Sequence, residues 1–342
     1  MLCFGSKGQF SKNTMQKRRK ALYTIAKAAI GLIAFPGLLK AQTAVDKPLR
    51  IIVPYAPGAG TDAVARLLAL KLTDLLGQPV VVENRTGAGG AIGARYVMDA
   101  PPDGQTLLMA AAPFTTVPAA IASAGYDPVA QFAAVGMIAS GPLVWAVNKD
   151  LPVINLRELV ALARAKPGDL NYGSGGAGGI NHLVLEMLKT RTGSYITHIP
   201  YRGVAPAILD MISGQIQVVT GTVPALNPFI KDGRIKALAV SSARRSPALP
   251  DVRGMAESGF ANFDVLNYFG LMAPKATPLA VLERLHVVLA TAVQLADVRA
   301  RFAADGLEPA NASRAQWAVF VQKDLLAWRQ VVVAQGLQIE AD

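Results

Sequence analysis

The first forty-one residues of this 342-residue chain contain no aspartate or glutamate, and the whole chain has one cysteine, Cys3, and three histidines. Each shortage excludes something. With its only cysteine at the extreme N-terminus, the remainder can form no disulfide and use no cysteine nucleophile. Cys3 also precedes the apolar run, so it does not sit where a lipid-modified cysteine would. His182, His198 and His286 show no close carboxylate–histidine spacing, and no metal site is expected from them. Aromatics make up 6% of the chain and no dense Lys/Arg block interleaves with them, so nucleic-acid binding lacks its usual footprint.

What the first forty-one residues do contain is eight basic residues: Lys7, Lys12, Lys17, Arg18, Arg19, Lys20, Lys27 and Lys40. A charged stretch from Gln16 to Lys20, an apolar run from Ala21 to Leu39 broken at Pro36-Gly37, and small Ala41 have the layout of a secretory signal. Residues 1–41 are therefore expected to be removed on export to the periplasm. A retained membrane anchor fits less well, because Lys27 and Lys40 interrupt a run that would need roughly 20 apolar residues. The Arg18-Arg19 pair is a weak pointer to twin-arginine export. Setting the segment aside leaves 26 basic against 23 acidic residues, so most of the formal charge of +11 belongs to targeting. The remaining net charge of +3 leaves room for a small anionic ligand.

Strand-like apolar runs alternate with helical-period stretches: 49–54, 61–76, 80–83, 90–100 and 106–111, then 142–148, 156–165, 171–173, 178–190, 196–200, 204–213, 216–220, 224–232 and 235–241. That rhythm predicts an α/β fold with a largely parallel sheet. The end reads as purely helical, with Leu282, Leu285, Leu289 and Val293 on one face and Trp317, Val321, Leu325 and Trp328 on another. Those tryptophans are read as core. No repeat or linker separates two sequential domains, which suits a chain that crosses between two lobes more than once. The apolar segments 143–148 and 265–273 are the expected crossing strands and hinge.

Two glycine turns carry the functional signal. In Ile51-Ile-Val-Pro-Tyr-Ala-Pro-Gly-Ala-Gly-Thr-Asp62 a buried strand runs into a turn and then a helix, where glycines permit close backbone approach and free N–H groups favour a carboxylate or phosphate. A plain tight turn with a good cap has the same sequence. Gly58-Ala-Gly-Thr-Asp-Ala63 also fits a relaxed dinucleotide fingerprint, with Glu83 about 20 residues on; against it, Pro54 and Pro57 bracket the strand end. The second turn, Asn171-Tyr-Gly-Ser-Gly-Gly-Ala-Gly-Gly-Ile-Asn-His-Leu183, repeats the strand–glycine–helix order in the other half. Facing each other, the two helix N-termini would pinch an anion. His182 either lines that cleft or packs as a neutral histidine. Ser174 lacks nucleophile-elbow spacing, since Tyr172 stands where the first glycine would be. An Asp62–His182 acid/base pair has no local support.

Pro48-Leu-Arg-Ile-Ile-Val-Pro-Tyr-Ala-Pro-Gly-Ala-Gly-Thr-Asp62 followed by Pro79-Val-Val-Val-Glu-Asn-Arg-Thr-Gly-Ala-Gly-Gly90 resembles the Bug, or TctC-like, family, the extracytoplasmic solute receptors of tripartite tricarboxylate transporters. The likeness continues through Asp103-Gly104, 171–183, His198-Ile-Pro-Tyr-Arg-Gly203, Gly214-Gln215, 246–252 and Ala273-Pro274, so it covers essentially the whole mature chain. The resemblance implies a type II periplasmic-binding-protein fold: lobe 1 from residues 42–148 plus 270–342, lobe 2 from 149–269, with a hinge and an interlobe cleft. It implies a small carboxylate ligand held by Tyr55, Gly58, Gly60, Thr61 and Asp62 from the first turn and Ser174, Gly175, Gly178 and His182 from the second. It further implies a monomer that catalyses nothing, needs no cofactor and delivers its ligand to transporter membrane subunits; a ligand-binding sensor for a membrane signalling protein would look the same. Arg202 is read as an assisting ion pair at the hinge or cleft, or as a solvated arginine.

Departures from the family pattern bear on the ligand. Ala59 stands where the first turn often has glycine, and Val219-Thr-Gly-Thr222 replaces an acidic-aromatic run, which should widen the cleft and make it less acidic. The segment 111–118 is more apolar than usual, leaving Thr115 and Thr116 as hydroxyls, with Thr115 the expected ligand contact. An aromatic carboxylate is thus expected over citrate or an acidic amino acid.

Overall fold

The computed structural model describes residues 47–58, 60–334 and 336–337; the expected signal segment and Ala59 lie outside the described residues. β1 (Leu49–Val53) sends Leu49, Ile51 and Val53 into one apolar layer and Ile52 into another, and β3 (Thr106–Ala111) divides Leu107, Met109 and Ala111 from Leu108 and Ala110 in the same way. Successive side chains of a strand point to opposite faces, so a strand covered on both sides reads as an unbroken apolar run. β1 lies parallel to both β2 (Val80–Asn84) and β3. Helices α1 (Gly60–Leu76) and α2 (Ala91–Met98) supply the crossovers.

β3 leads into α3 (Pro113–Ala120) and then β4, a 17-residue strand from Phe132 to Asn148. From there the βα rhythm resumes with α4 (Leu156–Ala165), β5 (Asn171–Ser174), α5 (Ile180–Thr192), β6 (Thr197–Pro200), α6 (Val204–Ser213), β7 (Val218–Thr222), α7 (Val223–Lys231) and β8 (Ile235–Val240). β9 (Leu266–Pro274) and the helices α8 (Leu279–Gln294), α9 (Ala296–Ala304) and α10 (Arg314–Ala334) close the chain, with the short β10 (Glu308–Pro309) between the last two. Among the described residues no single helix is long and apolar enough to cross a membrane.

The expectation of a largely parallel sheet is corrected. β1–β2, β1–β3, β5–β6 and β5–β7 are parallel, but every pairing of β4 and β9 is antiparallel. The strand order is β2-β1-β3-β9-β4-β7-β5-β6, with β8 and β10 also on β4. β4 pairs with β9 from Phe132 to Pro142, then with β7 from Leu143 and β8 from Val144. One strand therefore carries two sets of neighbours, β1–β3, β9 and β10 on its first part and β5–β8 on its second, which gives a two-lobed α/β molecule. The partners change at Pro142–Leu143 and, on the other crossing strand, at Val265–Leu266. Fully buried Ser241 bridges the two: its hydroxyl accepts from Leu143 N–H (2.8 Å) and donates to the Val265 carbonyl (2.6 Å).

α10 packs along α3 and fixes it to β9. Trp317 is fully buried and donates from Nε1 to the Leu271 carbonyl (3.2 Å), in keeping with its reading as core; Trp328 is buried too. Thr115 of α3 donates to Asp324 of α10 and lies 2.7 Å from the Tyr268 hydroxyl of β9. Burial pushes the Asp324 carboxyl up to about 6, against the lowering effect of hydrogen bonds from Thr115, Trp328 and Tyr268. A folded value above the ordinary 3.8 means that the folded state binds the proton more tightly. The resulting cost to stability is absent at low pH, grows as pH rises from 3.8 to about 6 and is constant above. Asp324→Asn should therefore gain on the wild type by about 3 kcal/mol between the two ends of that window. Urea unfolding at a series of pH values checks this; a difference that does not vary with pH would rule out a buried, reluctantly ionised carboxyl.

Candidate functional site

β1 ends at Val53 and the chain turns through Pro54 to Gly58 before α1 starts at Gly60. Gly58 has φ +80°, which lets the turn fold back on the helix without the steric cost of a side chain. Asp62 is 3% exposed and organises this turn. Its Oδ2 accepts from Gly58 N–H and Arg66 Nε, both at 2.9 Å, and its Oδ1 from Asn84 Nδ2 at 2.8 Å. Asn84 also donates to the Tyr55 carbonyl (3.0 Å). Burial alone would raise the Asp62 carboxyl, but the hydrogen bonds from Arg66, Gly58 and Asn84 outweigh it and hold it below its usual range. Gly58 N–H is thus not free for an anion, and the Asp62 carboxylate faces its own turn. At the head of α1 the first-turn N–H groups of Gly60 and Thr61 have no carbonyl one turn earlier and no acceptor among the described residues. Tyr55 lies behind the turn, against Gly90, and burial raises its hydroxyl.

The second turn is built over a stack of rings. Tyr172, His198 and His182 lie face to face, with His198 centred 4.8 Å from Tyr172 and 4.0 Å from His182. His198 Nε2 sits 2.7 Å from Ser174 Oγ, which also accepts from Gly176 N–H (3.1 Å). His182 Nδ1 accepts from Gly178 N–H (3.0 Å), so its proton belongs on Nε2, 3.9 Å from Glu186. Burial, aided by Lys189, pulls His182 down to about 4 and keeps it neutral near pH 7. Of the two readings left open for His182, the packed neutral histidine is the one this geometry fits. Ser174 is fully buried, and Gly175 packs against Gly203 and Val204 at the head of α6. Those three residues shape the turn from beneath, while Gly178 faces across.

The two halves meet closely. A methyl group placed on Gly60 would lie 3.2 Å from Thr222 Oγ1 at the start of α7, and one on Gly178 would lie 3.2 Å from Ile121 and 3.5 Å from Ala120 at the end of α3. A third turn joins them: a methyl on Gly89 would be 2.8 Å from Val117 and 3.6 Å from the Ala177 carbonyl. Gly87, Ala88, Gly89 and Gly90 all have positive φ, and Ala88 (φ 47°) is the one non-glycine residue among those described that does. Sequence reasoning placed no site residue in 87–90, although three glycines in four residues after a strand were the available signal. It also missed Ala120 and Ile121, while Val117 and Thr222 lie in the two segments, 111–118 and 219–222, that it read as shaping the cleft without naming either residue as a contact. Thr115, expected as a ligand hydroxyl, points instead at Asp324 and Tyr268.

The rival chemistries find little here. Glu83 holds Arg50 through two hydrogen bonds, one at 2.8 Å to Nη2, so it is not available to a ribose. Asp62 and His182 are each committed to their own turns. No group of three or more metal-ligating side chains occurs among the described residues. Arg202, beside the second turn, is exposed and in no ion pair among the described residues.

A sequence model described as the tripartite tricarboxylate transporter family receptor matches residues 64–337. The protein BugT of Bordetella pertussis is 36% identical over 319 residues, covering 92% of this chain and 98% of BugT. Among solved structures, periplasmic binding protein BugD superposes with a TM-score of 0.81 at 33% identity, over 85% of this chain and 98% of BugD. R. palustris Rpa4515 with adipate gives 0.81 at 32% identity, over 85% of this chain and 97% of its own.

Proposed function

The chain belongs to the tripartite tricarboxylate transporter receptor family, and from that premise we propose that it is a periplasmic receptor that captures a small carboxylate between its lobes and passes it, unconverted, to transporter subunits in the membrane. The observation that carries the reading is the apposition of three glycine turns: Gly60 against Thr222, Gly89 against Ala177 and Gly178 against Ile121. Backbone approaches this near leave N–H groups and helix N-termini, not side-chain cations, to receive the carboxylate. In this reading residues 42–148 with 270–342 form lobe 1 and 149–269 lobe 2, and the hinge lies where β4 and β9 change partners, at Pro142–Leu143 and Val265–Leu266. Ligand contacts with both lobes then favour the closed state. The receptor acts as a monomer and needs no cofactor.

The residues that meet across the cleft carry no charge, which supports a ligand less polar than citrate, such as an aromatic acid. The test is a thermal-shift screen of the signal-free protein, because a ligand that binds only the folded state raises its melting temperature by mass action. Benzoate-like acids should shift it more than citrate, glutamate or aspartate, and at 100 times Kd the gain is about 2.7 kcal/mol. Gly178→Val, which forces a side chain at φ +71° against Ile121, should cut the shift sharply. A screen in which citrate or an acidic amino acid wins would overturn the ligand class, and one in which only nucleotides act would overturn the receptor.

A further inference from the structure

Thr116 carries a hydroxyl that no group among the described residues satisfies. It is fully buried on α3, and Oγ1 has neither donor nor acceptor within reach. A helical threonine ordinarily turns its hydroxyl back to the carbonyl three or four residues earlier. For Thr116 the carbonyl four residues earlier is Ala112, which already accepts the N–H groups of both Thr115 and Thr116 and lies 3.0 Å from the Thr115 hydroxyl, and the one three earlier is Pro113, which the Tyr126 hydroxyl approaches at 3.4 Å. Burying a hydroxyl without a partner is costly, so its retention calls for a group that completes it.

The position of Thr116 on the helix points to that group. Thr116 and Ala120 are four residues apart and share one face of α3. Ala120 abuts Gly178 of the second glycine turn, and Val117, the next residue round the helix, abuts Gly89. Thr115, rotated the other way, is spent on Asp324 and Tyr268. We propose that Thr116 reads the far end of the ligand, and that this end is a neutral hydrogen-bonding group such as a hydroxyl or amide. The inference rests on the receptor reading above. A second carboxylate fits poorly there, because a single hydroxyl on a helix face whose neighbours Val117 and Ala120 are apolar cannot replace the water that an ion loses.

Calorimetric titration with matched acids tests it: 4-hydroxybenzoate against benzoate, and 6-hydroxyhexanoate against hexanoate and adipate. The wild type should bind the hydroxylated member of a pair about tenfold more tightly. Thr116→Val, which keeps the shape, should erase that difference and leave the ligand-free melting temperature equal or higher. Thr116→Ser should keep the preference. If the wild type binds some of these acids but prefers adipate, or if Thr116→Val leaves the preference intact, the role of Thr116 is overturned while the receptor stands. If the wild type binds none of the five, the carboxylate reading itself fails, and the inference with it.

Discussion

Asp62→Ala is expected to lower the unfolding free energy by about 2 kcal/mol and to weaken carboxylate binding about tenfold or more. The alanine leaves Gly58 N–H and the Asn84 amide without their acceptor, and Arg66 without its ion pair. Arg66 is half exposed and regains water cheaply, and Gly58 is exposed and Asn84 half-buried, so most of the cost is the loss of the buried carboxylate's own charge-assisted hydrogen bonds. Once freed, the 54–58 turn no longer holds the head of α1 in front of Thr222, and a ligand must reorder it on binding. Asp62→Asn should be milder, since the amide oxygen still accepts. The pH dependence has a definite sign. The folded carboxyl lies below its ordinary 3.8, so its contribution is complete above that value and lost as pH falls through the depressed one. The gap between wild type and Asp62→Ala in urea melts should therefore narrow in acid. An Asp62→Ala protein with wild-type stability and affinity would show that the turn keeps its shape without the carboxylate.

How much of this was legible beforehand varied with the physics of each segment. β3, α4 and α6 fall on the residues expected, because each has a clean apolar period and a cap, break or glycine at its end. The first part of β4 did not announce itself: Phe132-Ala-Ala-Val-Gly-Met-Ile-Ala-Ser-Gly141 is made of small residues that suit neither period. Its small side chains are needed where α8 and α10 press on the sheet, as at Gly136, where a methyl would meet Leu289 at 2.9 Å. α3 was obscured by Pro113 and Pro118, although proline at a helix start is favourable.

The site divides in the same way. That two glycine turns mattered was readable, since strand–glycine–helix order is local. Which atoms in them remained free was not, because that depends on partners far along the chain: Asn84 for Asp62, and His198 for Ser174. The two neighbouring threonines show the limit most plainly. One residue's rotation around α3 sends Thr115 to Asp324 and leaves the Thr116 hydroxyl without a partner among the described residues, and the helix that decides it was not expected at 113–120.

Ser241→Ala should destabilise the protein by about 2–4 kcal/mol, although Ser241 is remote from both turns in sequence and carries no charge. Its hydroxyl is an acceptor for Leu143 N–H and a donor to the Val265 carbonyl, and its backbone exchanges hydrogen bonds with the same two residues, N–H to Leu143 O at 2.7 Å and O from Val265 N–H at 3.0 Å. Removing the hydroxyl leaves one donor and one acceptor buried and unpaired at the level where β4 and β9 pass between lobes, and no neighbouring strand can take them up because the ladders change partners there. Urea unfolding should show a lower midpoint with an unchanged slope, since the surface exposed on unfolding is the same. Ligand affinity should fall as well, because a looser crossing populates more open forms that the ligand must close. If Ser241→Ala unfolds like the wild type, the crossing is held by the strands alone, and the hinge owes its geometry to the sheet and not to this side chain.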